Sequence, residues 1–183
     1  MQEVHPFGSI LFSGMRFIIV GTFPGRKYAQ RSTAENLADD FAFSYGGRNQ
    51  FWPIMEKLYS VLLHTRSEKI AFLHSMEIGM IDLYQIVERK KDSNLDQHLK
   101  AIVDNKIEIE KILRNGRTER VFCTGKQVAT VLEKWFPEEK HLIMALPSPS
   151  PAYCSMSFAQ KLEIYRQFFP KKCNLLTKYV KKC

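Results

Sequence analysis

Apolar residues in this chain gather in short unbroken runs, separated by longer stretches with a helical repeat. The runs are Phe17 to Val20 (FIIV), Ile78 to Leu83 (IGMIDL), Val121 to Thr124 (VFCT) and Leu142 to Leu146 (LIMAL). Each is continuous rather than alternating, as strands covered on both faces require. Phe51 to His64, Leu95 to Arg114, Gln127 to Trp135 and Phe158 to Phe168 carry the period of amphipathic helices. Strands alternating with helices predict an α/β fold: a three-layer α/β/α sandwich around a central, mostly parallel four-stranded sheet. No repeat or linker interrupts the pattern, so residues 1–183 are expected to form one domain ending in a basic tail from about 170 to 183.

In such a sheet a ligand sits beyond the carboxyl ends of the strands. The segments that follow the runs are GTFPG, YQIVERKKDSN, GKQ and PSPSPAY, all rich in Gly, Pro, Ser or charge. In GTFPG, glycine lets the backbone approach a ligand, and amides there can point at an acceptor. A tight structural turn is the plainer reading. A nucleotide-triphosphatase loop is excluded because three residues, not four, separate the glycines, and no Lys-Ser/Thr pair follows. In PSPSPAY three prolines fix the backbone, so the loop is either a rigid connector or the edge of a site.

Composition narrows the function classes. The apolar share is 45% and the charged share 25%, those of an ordinary globule, and no apolar run approaches a membrane span of about 20 residues. The start MQEVHPFGSI has no basic-then-apolar signal, so a cytoplasmic protein is expected, or a nuclear one in a eukaryote. Cysteines at 123, 154, 173 and 183 show no CxxC spacing, which points to neither a metal nor a disulfide framework. Cys123 reads as a small buried hydrophobe. The net charge of +8, with five lysines and no acid from Pro170 onward, permits a polyanionic partner. A solvated basic end explains the tail equally well.

The stretch YGGRNQFWPIM holds a carboxamide and a guanidinium at the mouth of a helix. Asn49 is a good N-cap, and that accounts for it structurally. A carboxamide also donates and accepts, so it can hold and aim a water. Phe51 and Trp52 read as core, while Phe43 and Tyr45 are rings on which a base can stack. Asp82, ending a buried strand, either caps a neighbouring loop or holds a water or pocket wall. Arg48 can pair with a phosphate or with an acid such as Asp82. His64, His74 and His141 fall in no motif and read as surface or helix-end residues.

Five segments in order, GTFPG, RNQFWPIM, IDLYQIVERKKDSNLD, VFCTGKQVA and LPSPSPAYCSMSFAQKL, resemble the uracil-DNA glycosylase superfamily. The resemblance runs from about Phe17 to Phe168 and is closest to the hypoxanthine-DNA (deoxyinosine) glycosylase branch. It implies a metal-free, cofactor-free monomer that hydrolyses the N-glycosidic bond of uracil, hypoxanthine or xanthine in DNA. Such enzymes extrude the base, because the scissile bond cannot be reached in the stack.

The family's first loop usually carries a catalytic Asp or Asn. That place falls on Thr22 or Phe23 here, and the branch relies instead on an asparagine that matches Asn49. The resemblance further implies base contacts from Gly21, Thr22, Phe23, Pro24, Phe43 and Tyr45. It implies DNA contacts from Arg48, Lys126, Ser148, Pro149 and Ser150. Backbone amides of Thr22 and Phe23 would stabilise the departing anionic base. Two departures stand out. The link from Arg26 to Ala42 is long and holds Asp39 and Asp40, and the last loop reads SPSP where the branch commonly has STSP. The missing first-loop acid keeps a catalytically silent nucleic-acid-binding domain open as the alternative. A hydrolase of free nucleosides is a third reading, which the positive charge disfavours.

Overall fold

The computed structural model describes residues 2–25, 48–90 and 96–171. Among the described residues the strands are β1 (Gln2–Val4), β2 (Phe17–Gly21), β3 (Ile78–Asp82), β4 (Tyr84–Arg89), β5 (Leu99–Asp104), β6 (Arg120–Cys123) and β7 (Ile143–Ala145). The α-helices among them are α1 (Phe51–Tyr59), α2 (Arg66–Ser75), α3 (Lys106–Arg114), α4 (Lys126–Trp135) and α5 (Phe158–Phe168). The four apolar runs form one parallel sheet in the order β3-β2-β6-β7.

Residues in the central strands alternate between two apolar layers. Ile19, Ile78, Met80 and Phe122 pack with Phe51, Trp52, Phe72, Leu73, Leu162 and Tyr165 from α1, α2 and α5. Ile18, Val20, Ile81, Val121 and Cys123 pack on the opposite side with Ile109, Ile112, Val128 and Leu132 from α3 and α4. The expected α/β/α sandwich therefore forms, and the runs of β2, β3 and β6 are continuous because both faces are covered, while edge strand β7 is only partly buried. Burial pushes the Cys123 thiol up to about 12, which leaves it an inert core group. Cys154 is exposed.

The register brings Gly21 opposite Asp82, Val20 opposite Cys123, and Cys123 opposite Ala145. The four strand ends thus finish along one edge. Chain order reverses between β2 and β6, making their carboxyl ends the crevice where this architecture binds ligands.

Three expected elements differ. The helix expected over Leu95 to Arg114 begins only at Lys106; Asp96–His98 is a short 3-10 turn and Leu99–Asp104 is a strand. The segment YQIVERKKDSN, read as a loop, contains β4. β4 pairs antiparallel with β5 and β1 in a second, three-stranded sheet, so ladder pairing prevails over helical period. Asp104 then ends β5 and its Oδ1 accepts the Lys106 amide at 3.1 Å, which starts α3. The helix expected to reach His64 ends at Tyr59, where Ser60 takes a left-handed conformation with φ 54°. Val61 and Leu63 remain buried beyond it, which is why the apolar pattern outlasts the helix. Helix α2 was not anticipated, although Thr65 and Glu68 form both bonds of a capping box at its start.

Gly79, in β3, is required by close packing. A Cβ there would stand 2.6 Å from Met15 Sδ and 3.3 Å from both the Ile10 carbonyl oxygen and Ile18 Cδ1. Met15 can shift but a backbone carbonyl cannot, so Gly79→Ala is expected to destabilise the fold by about 1–3 kcal/mol. Shortening the first obstacle in Gly79→Ala/Met15→Ala should recover little of that loss in urea unfolding, because Met15 itself is core.

Candidate functional site: the carboxyl edge of the parallel sheet

The first loop leaves β2 at Gly21 and is tied down on one side. The Gly21 carbonyl accepts the Leu83 amide at 2.9 Å, and the Thr22 carbonyl accepts the Tyr84 amide at 3.3 Å. Among the described residues, no acceptor meets the Thr22 or Phe23 amide. The Phe23 ring is buried edge-on against His5, 5.6 Å between centroids, so the ring expected to contact a base is instead packed into the protein. Pro24 is buried as well, and its carbonyl accepts from Arg89 at 3.3 Å.

This loop is propped from beneath by residues that no motif had marked. Arg89 makes a buried two-pronged pair with Glu3, with Nη2 2.8 Å from Oε2. His5 Nε2 lies 3.0 Å from Asp82 Oδ2, with both side chains almost wholly buried. Asp82 therefore meets the N-terminal arm, while its backbone carbonyl accepts Asn105 Nδ2 at 2.7 Å. That arm joins the fold through β1, and only pairing in the second sheet brings positions 3 and 5 to residues near 85.

The asparagine segment docks on the serine–proline loop. Gln50 donates its amide to the Pro149 carbonyl at 2.9 Å. Lys161, on α5, is 1% exposed, and its ammonium reaches Gln50 Oε1 at 2.9 Å and the Tyr153 carbonyl at 3.0 Å. Burial draws its pKa below the ordinary lysine value, while nearby Cys154 and Tyr153 push the other way. Asn49 is half-buried, and its Oδ1 accepts the Phe51 amide at 2.8 Å. The N-cap is Gln50 rather than the expected Asn49, which instead satisfies the first helical amide from one position further out. The carboxamide nitrogen remains a donor, and the oxygen keeps a second lone pair.

Within the loop, Ser148 Oγ accepts the Ser150 amide at 3.2 Å, and Ser150 Oγ accepts the Ala152 amide at 3.3 Å. Both hydroxyl oxygens face backbone donors, so each hydroxyl hydrogen is available to an anion. Tyr165 Oη donates to the Pro147 carbonyl at 3.1 Å, fixing the loop from behind.

A cavity of about 630 Å³ opens beside this loop, within the range of small-ligand sites. Ser148, Ser150, Tyr153, Thr124, Lys126 and Asp96 are among its walls. The loops after β6 and β7 meet there, since a Cβ on Gly125 would lie 4.0 Å from Ser148 Cβ. Asn49 and the first loop do not line this cavity. The link between them runs through Thr22, whose hydroxyl donates to Asp96 Oδ2 at 2.8 Å. Arg48 is exposed on the approach to α1. Phe43, Tyr45, Asp39, Asp40 and most of the basic tail lie outside the described residues.

Asp96 and Lys161 are the polar residues that sequence reasoning passed over. Asp96 is the last letter of IDLYQIVERKKDSNLD, quoted for its pattern but given no role. Lys161 interrupts the apolar stripe of Phe158, Leu162 and Tyr165, and a lysine on the buried face of a helix is itself a signal.

Residues 11–171 match the family described as the Uracil DNA glycosylase superfamily. The fold also resembles a solution NMR structure from Methanosarcina acetivorans described as a "putative Uracil DNA glycosylase". The TM-score is 0.67 at 17% identity, covering 91% of this chain and 98% of that one. No curated protein matches. With the family match spanning most of the chain, and the parallel sheet and its edge loops arranged as described, the chain belongs to the uracil DNA glycosylase superfamily.

Proposed function

We propose that the protein is a DNA base-excision glycosylase that hydrolyses the N-glycosidic bond of a deaminated base: uracil, hypoxanthine or xanthine. The observation that carries this reading is the docking of the Asn49 segment on the serine–proline loop, through the Gln50–Pro149 bond and the Lys161 ammonium. That contact supports one continuous edge on which Ser148 and Ser150 hold a backbone phosphate while Asn49 orients the attacking water. Arg48 and Lys126 add cations for the flanking phosphates, in keeping with the +8 net charge.

Bond breaking builds positive charge on the sugar and negative charge on the leaving base. Amides preset toward that anion are worth a few kcal/mol each where water is excluded, and Thr22 and Phe23 offer theirs. The state of Lys161 supports hydrolysis over Schiff-base chemistry at that lysine. Its depressed pKa suits a nucleophile, yet its ammonium is enclosed and engaged by two oxygens.

Duplexes carrying each of the three lesions, incubated and then treated with alkali, are expected to break at one or more lesions. Intact strands throughout, with salt-sensitive binding, would instead select a silent DNA-binding domain. Asn49→Ala should slow release about a hundredfold through lost positioning, and an unchanged rate would remove Asn49 from the mechanism. Borohydride added during turnover should trap no protein–DNA adduct. Lys161→Met, which strips two part-buried oxygens of their donor, should lower stability by about 1–3 kcal/mol. It should also raise KM for the lesion duplex as the two loops part; an unaltered urea midpoint would show the clamp to be dispensable.

A further inference from the structure

We propose that Asp96 is the general base of the reaction, a carboxylate delivered by the β4–β5 connection to the loop that lacks its own. The inference rests on the glycosylase reading and deepens it by naming the group that takes the proton. Three observations converge on this side chain. First, Asp96 Oδ2 accepts the Thr22 hydroxyl at 2.8 Å, which fixes the carboxyl on the first loop, where Phe23 turns its ring away to His5. Second, Asp96 is a wall of the 630 Å³ cavity that also holds Ser148 and Ser150, the candidate phosphate ligands. Third, Asp96 is exposed, so a water can reach it.

A carboxylate is an unfavourable choice for a surface meant to meet phosphates, because it repels them. It belongs there only if it acts on something other than the phosphate. Confinement in the cleft raises its pKa above the ordinary aspartate value, and Asp82 raises it further. The Thr22 hydroxyl and Arg89 lower it. A raised pKa makes the ionised form a better proton acceptor near neutral pH. Asn49 cannot fill this role, since a carboxamide has no useful basicity.

The step balances as a simple hydrolysis. The water oxygen forms a bond to the sugar C1′ and the C1′–N bond breaks. Its electron pair leaves with the base, and the water proton passes to Asp96. The base anion is then protonated from solvent, and Asp96 returns its proton there. While ionised, the same carboxylate favours the positive charge that develops on the sugar. Asn49 is left as a positioning amide.

The test is single-turnover base release from the lesion duplex as a function of pH, with duplex affinity measured alongside. Among the described residues, the groups around Asp96 that titrate or carry charge include His98 in the same turn, Asp82 with its partner His5, Tyr84, Arg89 and, across the cavity, Lys126. A comparison at one position therefore isolates the carboxylate. Asp96→Asn should slow release about a hundredfold or more while binding stays within a few-fold, and should abolish the acidic limb of the profile. Thr22→Val removes a hydrogen bond that lowers the pKa of Asp96, so it should move that limb to higher pH. This second variant reads the same group if Asp96→Asn does not fold. An active wild type with an intact limb in Asp96→Asn, or an unmoved limb in Thr22→Val, would overturn the role of Asp96 alone. A wild type inert on every lesion would overturn the glycosylase reading itself.

Discussion

The edge of this protein depends on one buried ammonium. Taking a lysine head group out of water is expensive unless oxygens replace the lost hydration. Lys161 meets that requirement with Gln50 Oε1 and the Tyr153 carbonyl, and in doing so joins two segments that lie about a hundred residues apart. Among the described residues, the bond from the Gln50 amide to the Pro149 carbonyl is the other hydrogen bond that joins the two segments. Helix α5 supplies the lysine from a well-defined start, where Ser157 and Gln160 form both bonds of a capping box. Stability of the helix and geometry of the edge are thereby coupled.

The other flank is held by a different device. Glu3 and Arg89 form a buried pair, and His5 meets Asp82 close by, so an N-terminal strand of three residues braces the first loop from beneath. The antiparallel sheet has little enclosed core of its own. β5 is mostly exposed, and Val4, Ile102 and Val103 face solvent. Its value to the molecule is positional: it carries Arg89 to Pro24, and its β4–β5 connection carries Asp96 to Thr22.

Much of this was legible in the residues, for identifiable reasons. The strands β2, β3 and β6 announce themselves because both of their faces are covered, whereas β7, at the sheet edge, is only partly buried. Helix α5 was read to the residue, since its stripe and its capping serine agree. The second sheet was not legible. LKAIVD has polar and exposed neighbours and became a strand only because β4 lay ready to pair with it. Within the site, the serines and Asn49 stood out through neighbouring Pro and Gly. Asp96, Lys161 and His5 act through partners 74, 111 and 77 positions away, and no local pattern reports a contact that only tertiary structure creates.

The serine–proline loop has a further consequence for discrimination. Ring-locked torsions and two hydroxyl–amide bonds already hold it in one shape, and little motion is left to be frozen when a strand is gripped. For a glycosylase built this way, most of the work of extrusion then falls on the nucleic acid. Lesions would be sorted by how weakly each is paired and stacked before it arrives, with mispaired bases surrendered first, whatever the chemical detail of the chamber that receives them.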